Sequence, residues 1–258
     1  MRPAAALAAS ALVAACATAD GPLPPSTTEG YLEAGALQAI VARMEAPPPS
    51  PTAWAGDPAV APGSDRWWLA TAHAEVRAPE AAQHFDCVLG ARLTAKPRPA
   101  LARLMNRLLV DTAGVSARLA ELHPRPRPVA VDRELEPCQR IDEATRVTPS
   151  WPAAGAVAGA VYGEMFAELA PDRAAAARFI GSELGRSRAV CRMNWPRDVE
   201  AGQAIGQQVW ATAHDAADFH EELGAARAEL AAARAEGLTS PACAAERRAL
   251  GPMPAGGR

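Results

Sequence analysis

The stretch AAGAVAGAVYGEMFAELAPD, residues 153–172, decides the fold of this chain. Alanine dominates it, and helix-compatible residues continue up to the Pro171-Asp172 break, which predicts a helix over residues 153–169. Small residues recur every fourth position and therefore share one helix face, at Gly155, Gly159 and Gly163. Because glycine has no side chain, a neighbouring helix can approach that face closely. The stretch thus predicts a closely packed helical protein.

Helical periodicity continues on both sides of this stretch, and no strand-like alternation of useful length is present. The other predicted helices cover residues 29–44, 65–93, 97–122, 174–193, 198–214 and 215–235. The segment His123-Pro-Arg-Pro-Arg-Pro128 is predicted to be extended, because its alternating prolines lack backbone donors. The prediction is an all-α protein, a compact single-domain bundle of about six or seven helices.

The chain divides into four predicted parts. Residues 1–15 are a signal peptide, residues 16–63 a Pro-rich segment with one short helix, residues 64–236 the helical domain, and residues 237–258 a C-terminal tail. The apolar run at 4–15 is too short to span a bilayer and suits the hydrophobic region of a secretory signal. We therefore expect export to the periplasm.

The signal peptide offers two cleavage sites. Val13-Ala14-Ala15-Cys16 resembles a bacterial lipobox, in which the cysteine is lipidated and becomes the first residue. The alternative is a plain small-x-small site, Ala17-Thr18-Ala19, which would extend the signal peptide to residues 1–19. The first predicts a lipid anchor to a bacterial membrane through Cys16, and the second a secreted form without one.

Composition excludes a general nucleic-acid binder and predicts which residues supply positive charge and disulfides. The chain has 26 basic and 29 acidic residues, a net charge of −3, which excludes the basic surface of a general nucleic-acid binder. Its single lysine is Lys96, so any fixed positive charge is expected to come from arginine. Beyond Cys16, four cysteines remain, and an even number in an oxidising compartment predicts two disulfides. No C-x-x-C pair is present, and we expect neither metal nor cofactor.

Short motifs in the second half of the chain carry the functional signal. Arg127-Pro128 closes the Pro-rich segment, Ser187-Arg188 opens another motif, and Asp198 follows Arg188 by ten residues. These motifs resemble the signature of the class A bacterial non-specific acid phosphatases, in the phosphatidic acid phosphatase and vanadium haloperoxidase superfamily: K-x6-R-P, P-S-G-H and S-R-x5-H-x3-D. The resemblance covers residues 47–236. Flanking matches include Phe85-Asp86-Cys87, Ala170-Pro171-Asp172-Arg173 and Asp198-Val199-Glu200-Ala201-Gly202.

The resemblance implies a catalytic apparatus that this sequence lacks. In the family, the histidine of the third motif attacks phosphorus, the histidine of the second protonates the leaving alcohol, and the lysine and two arginines hold the phosphoryl oxygens. Here Asn194 stands at the nucleophile position, Gly155 at the general-acid position and Ala120 at the lysine position. A rival register places Pro149-Ser150-Trp151-Pro152 over the second motif, with Pro152 in place of its histidine.

What remains is the anion-binding pair Arg127 and Arg188 with the carboxylate of Asp198, which in the family orients the nucleophilic histidine. Loss of a positioned general acid costs about 10²–10⁴-fold in rate, and loss of the nucleophile removes the covalent route. We therefore predict an inactive member with a residual pocket for phosphate or a phosphomonoester, its protein partner unknown. The alternatives are an active periplasmic acid phosphatase with variant catalytic residues, and a structural or interaction lipoprotein without a pocket, in which the arginines pair with Asp198.

The resemblance also implies a cysteine pairing. Cys138 and Cys191 match family positions that form a disulfide, which leaves Cys87 and Cys243 as the second pair, tying down the C-terminal tail. Among the histidines, His73 and His84 are interpreted as structural, and His214 and His220 as surface residues. Only His123 lies close in sequence to a retained motif residue.

Overall fold

Helices account for all the regular structure in residues 29–49, 51, 53–54 and 60–252, the part of the chain that the computed structural model describes. The α-helices are α1 (Ala34–Ala42), α2 (Asp65–Ala72), α3 (Asp86–Leu89), α4 (Pro99–Leu122), α5 (Pro128–Val131), α6 (Glu143–Val147), α7 (Ala154–Leu169), α8 (Ala174–Val190), α9 (Pro196–His214), α10 (Phe219–Ala235) and α11 (Cys243–Leu250), and short 3₁₀ helices cover Glu80–Phe85, Leu93–Ala95 and Pro171–Arg173. The all-α prediction is confirmed. The predicted signal peptide and the lipidation site Cys16 lie outside the described residues.

Helix α7 lies at the centre, packed against α8, α9 and α4. The α7 face that contains Gly159 and Gly163 packs against α8, and there the backbones of the two helices nearly touch. A Cβ atom built on Gly159 would lie 2.5 Å from the carbonyl oxygen of Gly181, and one built on Gly181 would lie 2.4 Å from that of Gly159. Helix α9 approaches similarly, since a Cβ on Gly206 would lie 2.6 Å from the carbonyl oxygen of Val157. The predicted close approach is confirmed.

This close approach makes Gly181 sensitive to the smallest substitution. We expect Gly181→Ala to lower the free energy of unfolding by about 1–3 kcal/mol, because α8 must move away from α7 to admit one methyl group. Urea denaturation followed by circular dichroism measures the change. Gly224→Ala in α10 is the matched control: its Cβ would meet nothing within 4 Å, so helix propensity predicts a gain of up to about 1 kcal/mol. Equal behaviour of the two variants would contradict the close packing.

The predicted helix over residues 65–93 is wrong. Helix α2 ends at Ala72, and a 3₁₀ turn (Glu80–Phe85) and the short α3 follow. Two local features explain the break. The carboxylate of Glu75 accepts hydrogen bonds from the backbone N–H and the guanidinium of Arg77, which closes a turn. Pro79 then lacks the N–H that a continuing helix would need.

Both predicted disulfides are present. Cys138–Cys191 joins the loop after α5 to the end of α8, and Cys87–Cys243 joins α3 to the start of α11. Helix α11 itself was not predicted, since residues 237–258 were expected to form a tail. No helix in the described part of the chain is both long and apolar enough to cross a bilayer.

Candidate functional site

A cavity of about 410 Å³ opens where α4, α7 and α8 converge. Its described lining is formed by Ala74, Val76, Ala113, Ser116, Ala117, Ala120, Arg127, Gln139, Pro149, Pro152, Ala154, Gly155, Arg188 and Asn194. Five of the six motif positions assigned from the sequence are in this set, and Asp198 is not: the five are Ala120, Arg127, Gly155, Arg188 and Asn194. Five residues spread over 75 positions of sequence therefore face one space.

Arg127 reaches the cavity from the Pro-rich segment. Its backbone is extended, with φ −70° and ψ 156°, because prolines stand on both sides of it. The side chain is fixed by two hydrogen bonds: Nε donates to Thr148 Oγ1 at 2.9 Å, and Nη1 donates to the carbonyl oxygen of Met193 at 2.7 Å. Since a guanidinium has five N–H donors, most of its donor capacity remains for a ligand.

Arg188 enters from the last turn of α8 and lies across Gly155. A Cβ atom on Gly155 would be 2.9 Å from Arg188 Cδ, so the arginine side chain covers the space that a side chain at position 155 would need. Its guanidinium makes no hydrogen bond or ion pair with any residue of the described part. All N–H donors of the Arg188 guanidinium are thus free of partners in the described part of the chain.

The cavity carries net positive charge. Burial lowers the pKa of Arg188 to about 10, and burial together with repulsion from Arg188 lowers the pKa of Arg127 to about 10. Both groups therefore stay protonated at neutral and acid pH. No acidic side chain is among the described residues that line the cavity. Helix α7 also begins at Ala154, so the positive end of its dipole lies at the cavity wall.

Asn194 is 3% exposed and is held by the loop that precedes α7. Its side-chain Nδ2 donates to the carbonyl oxygen of Ser150 at 2.6 Å. The Ser150 hydroxyl in turn donates to Asp198 Oδ2 at 2.7 Å. The amide has no lone pair on nitrogen with which to attack phosphorus, so this position can orient a ligand but not accept a phosphoryl group.

Asp198 is fully buried and has a partner that the sequence analysis missed. Arg125 Nη1 lies 3.0 Å from Asp198 Oδ1, and the Arg125 side chain is only 4% exposed. The two groups touch without the alignment of a good hydrogen bond, so their attraction is mainly Coulombic. Burial still raises the pKa of Asp198, against the Ser150 hydrogen bond and the arginine charge. The alternative that Arg127 or Arg188 forms the ion pair with Asp198 is wrong.

The geometry also selects among alignments of the motifs. Arg125-Pro126 matches R-P as well as Arg127-Pro128 does, and would place Arg118 at the lysine position. Arg118 is exposed and pairs with Glu121 instead, whereas Ala120 lines the cavity with Arg127. Both Gly155 and Pro152 line the cavity, so either register of the second motif leaves it without a histidine there.

Comparison with known proteins identifies the family. No family model matches the chain. An acid phosphatase of Zymomonas mobilis is 33% identical over 178 residues, which cover 69% of this chain and 67% of that protein. A non-specific acid phosphatase of Salmonella typhimurium is 30% identical over 172 residues, 65% of this chain and 68% of that protein. One from Providencia stuartii is 25% identical over 169 residues.

The chain belongs to the class A acid phosphatase family. The segments that resemble the acid phosphatase signature are brought together by the fold, although they come from α4, the Pro-rich segment, α7 and α8. Arginine supplies every basic group among the described lining residues, as the near absence of lysine predicted.

None of the five histidines of this chain is among the residues that line the cavity. His73 and His84 are buried at 0% and 5% exposure, as their interpretation as structural residues requires. His123 packs edge-on against Trp151, with ring centroids 5.4 Å apart. His214 and His220 lie at the ends of α9 and α10. The described residues that line the cavity thus include two guanidiniums and no imidazole for nucleophilic or acid catalysis.

Proposed function

We propose that this chain is an exported acid-phosphatase-like protein that binds phosphate or a phosphomonoester without hydrolysing it. One observation carries the proposal: the cavity at the family's motif positions contains Arg127 and Arg188 but neither histidine, lysine nor acidic group among its described lining residues. It is therefore suited to hold an anion and unsuited to cleave one.

Binding follows from the geometry of two guanidiniums. Arg127 is fixed by Thr148 and the Met193 carbonyl, so ligand binding costs little side-chain entropy there. Arg188 is free of described partners and can turn its planar fork toward a second pair of phosphate oxygens. The first turn of α7 adds backbone dipole at the wall. Alanines line much of the remaining wall, which gives a small organic substituent an apolar surface.

Inactivity follows from two absent groups, the nucleophile and the general acid. Without a nucleophile at position 194 no phosphoryl-enzyme intermediate forms, and without an acid at position 155 the leaving alcohol departs as an alkoxide. The missing acid alone accounts for about 10²–10⁴-fold. Two arginines still stabilise charge on the phosphoryl oxygens, but they supply no atom that attacks phosphorus.

Phosphate is expected to raise the thermal stability of the purified protein. At a concentration one hundred times Kd, binding to the folded state adds about 2.7 kcal/mol. We expect Arg127→Ala and Arg188→Ala each to abolish the shift in differential scanning fluorimetry. Arg118→Ala is the matched control, because Arg118 is an exposed arginine whose partner is Glu121; its variant should respond to phosphate as wild type does.

The same preparations separate the alternatives. Wild-type protein is expected to release no p-nitrophenol from p-nitrophenyl phosphate above the buffer rate. Robust turnover that Arg127→Ala or Arg188→Ala abolishes would establish the active-enzyme alternative instead. A phosphate shift that survives both substitutions would contradict the assigned pocket. The presence of a cavity at the motif positions favours the binding proposal over an interaction lipoprotein without a pocket.

Export to the periplasm is proposed from the N-terminal sequence. The apolar run at 4–15 and the lipobox-like Val13-Ala14-Ala15-Cys16 support a signal peptide followed by a lipid anchor. The two disulfides suit an oxidising compartment. Incorporation of labelled palmitate into wild-type protein, and its loss in Cys16→Ser, would distinguish the anchored form from cleavage after Ala19.

A further inference from the structure

We propose that Glu168, His214 and His220 form a binding site for a divalent transition-metal ion, with zinc the best match. One ligand atom from each residue lies within 4.8 Å of the other two. The site has no part in the anion cavity: Gly155 and Glu168 stand at opposite ends of α7, and thirteen helical steps separate them by about 20 Å.

The three residues come from three helix ends that the fold brings together. Glu168 is in the last turn of α7, His214 is the last residue of α9, and His220 is the second residue of α10. An ion bound by all three would link these helix ends. The side chains are half-buried or exposed, so an ion can reach them from solvent.

The donor set and spacing suit zinc. Zinc takes imidazole nitrogen and carboxylate oxygen at about 2.0–2.2 Å in tetrahedral geometry, which places neighbouring ligand atoms about 3.4 Å apart. His214 Nε2 lies 3.1 Å from Glu168 Oε2, close to that separation. In the absence of metal this contact needs a proton on the ring nitrogen, and an ion that replaces the proton would use both atoms as ligands.

Aromatic packing limits the orientations of both rings. The His214 and His220 rings stand edge to face with centroids 4.6 Å apart. Phe219 contacts both rings, at 5.4 Å from His214 and 5.7 Å from His220. Rings that are already positioned lose less freedom when an ion binds. Three protein ligands leave one tetrahedral position for water or an external ligand.

One neighbour opposes the ion. Arg227 Nη2 lies 4.0 Å from Glu168 Oε1 and also donates to the Glu168 carbonyl oxygen. Its charge repels a cation, yet it engages the oxygen that does not face His214, which leaves Oε2 available. Removal of this charge is therefore expected to tighten metal binding.

The test is titration of the purified protein with zinc chloride in a calorimeter, and with cobalt(II) as a spectroscopic probe. We expect one ion per chain and the visible absorption of tetrahedral cobalt. His214→Ala and His220→Ala should each weaken binding by more than about tenfold, Glu168→Gln should weaken it, and Arg227→Gln should strengthen it. His123→Ala is the matched control and should bind as wild type does.

Two outcomes would overturn the site: no binding of either ion by wild-type protein, or binding that both histidine substitutions leave unchanged. Circular dichroism and the phosphate-induced stability shift show whether each variant is folded. Because the two sites are separate, loss of metal binding with an intact phosphate response assigns the effect to these three residues. Failure of phosphate binding in wild-type protein would refute the proposed function and leave the metal site intact.

Discussion

Introducing a lysine at Ala120 and histidines at Gly155 and Asn194 is expected to create a measurable phosphatase. These positions face the same cavity as Arg127 and Arg188, so the triple variant would place a nucleophile, a general acid and a third cation around one phosphoryl group. A positioned acid contributes about 10²–10⁴-fold, and the nucleophile opens the covalent route. We therefore expect p-nitrophenol release to exceed that of wild type by at least about 10³-fold.

The steric requirement of this variant can be read from the structure. A side chain at position 155 displaces the aliphatic part of Arg188, whose Cδ would be 2.9 Å from the new Cβ. Arg188 can yield, because nothing in the described part of the chain bonds its guanidinium. Asn194 is more tightly enclosed at 3% exposure, so a histidine there must keep a donor toward the Ser150 carbonyl.

Controls identify the source of any activity. Asn194→His alone should remain near the wild-type rate, because the leaving group still lacks an acid. Adding Arg188→Ala to the triple variant should remove the gained activity if the new groups act on an anion in this cavity. A folded triple variant that binds phosphate and shows no turnover would contradict the view that these three substitutions are what separates this chain from a working phosphatase.

Local sequence rules predicted the helical packing well. The spacing of Gly155, Gly159 and Gly163 puts three residues without side chains on one helix face, and the close contact of Gly159 with Gly181 occurs on that face. The helix over residues 65–93 failed for the opposite reason. Its apolar spacing was helical, but a side-chain hydrogen bond from Arg77 to Glu75 competed with the backbone bonds before Pro79. Helix α11 was missed although its disulfide to Cys87 was predicted, because it is only 8 residues long and packs against α2, which is distant in the chain.

At the candidate site, too, the sequence predicted which residues take part but not what packs around them. Motif spacing was sufficient to select Arg127 and Arg188, and the fold places both at one cavity. It could not distinguish the roles of Arg125 and Arg127, two arginines in one Arg-Pro repeat, because burial is set by what packs around each. The metal-site triad was beyond sequence reasoning altogether. Glu168 and His214 are 46 residues apart, and no local pattern relates the ends of three helices.

Replacing Asp198 with alanine is expected to cost about 3–5 kcal/mol of folding free energy, because it leaves the Arg125 guanidinium buried without a counter-charge. Arg125 is 4% exposed and its ion-pair partner is Asp198 at 0%. The Ser150 hydroxyl would also lose its acceptor. Urea denaturation at pH 7 measures the loss. Asp198→Asn should cost less, since its amide oxygen still accepts from Ser150.

The double variant Arg125→Met, Asp198→Leu is the decisive control. Removing both charges together and filling the space with apolar side chains should restore most of the stability, because neither desolvated charge remains. A loss as large as that of Asp198→Ala alone would show that shape, not charge, sets the cost. A loss below about 1 kcal/mol in Asp198→Ala would contradict a stabilising ion pair. Asn194 stands where the resemblance to the family would place the histidine that this carboxylate orients. We therefore expect loss of Asp198 to show in the stability of the fold.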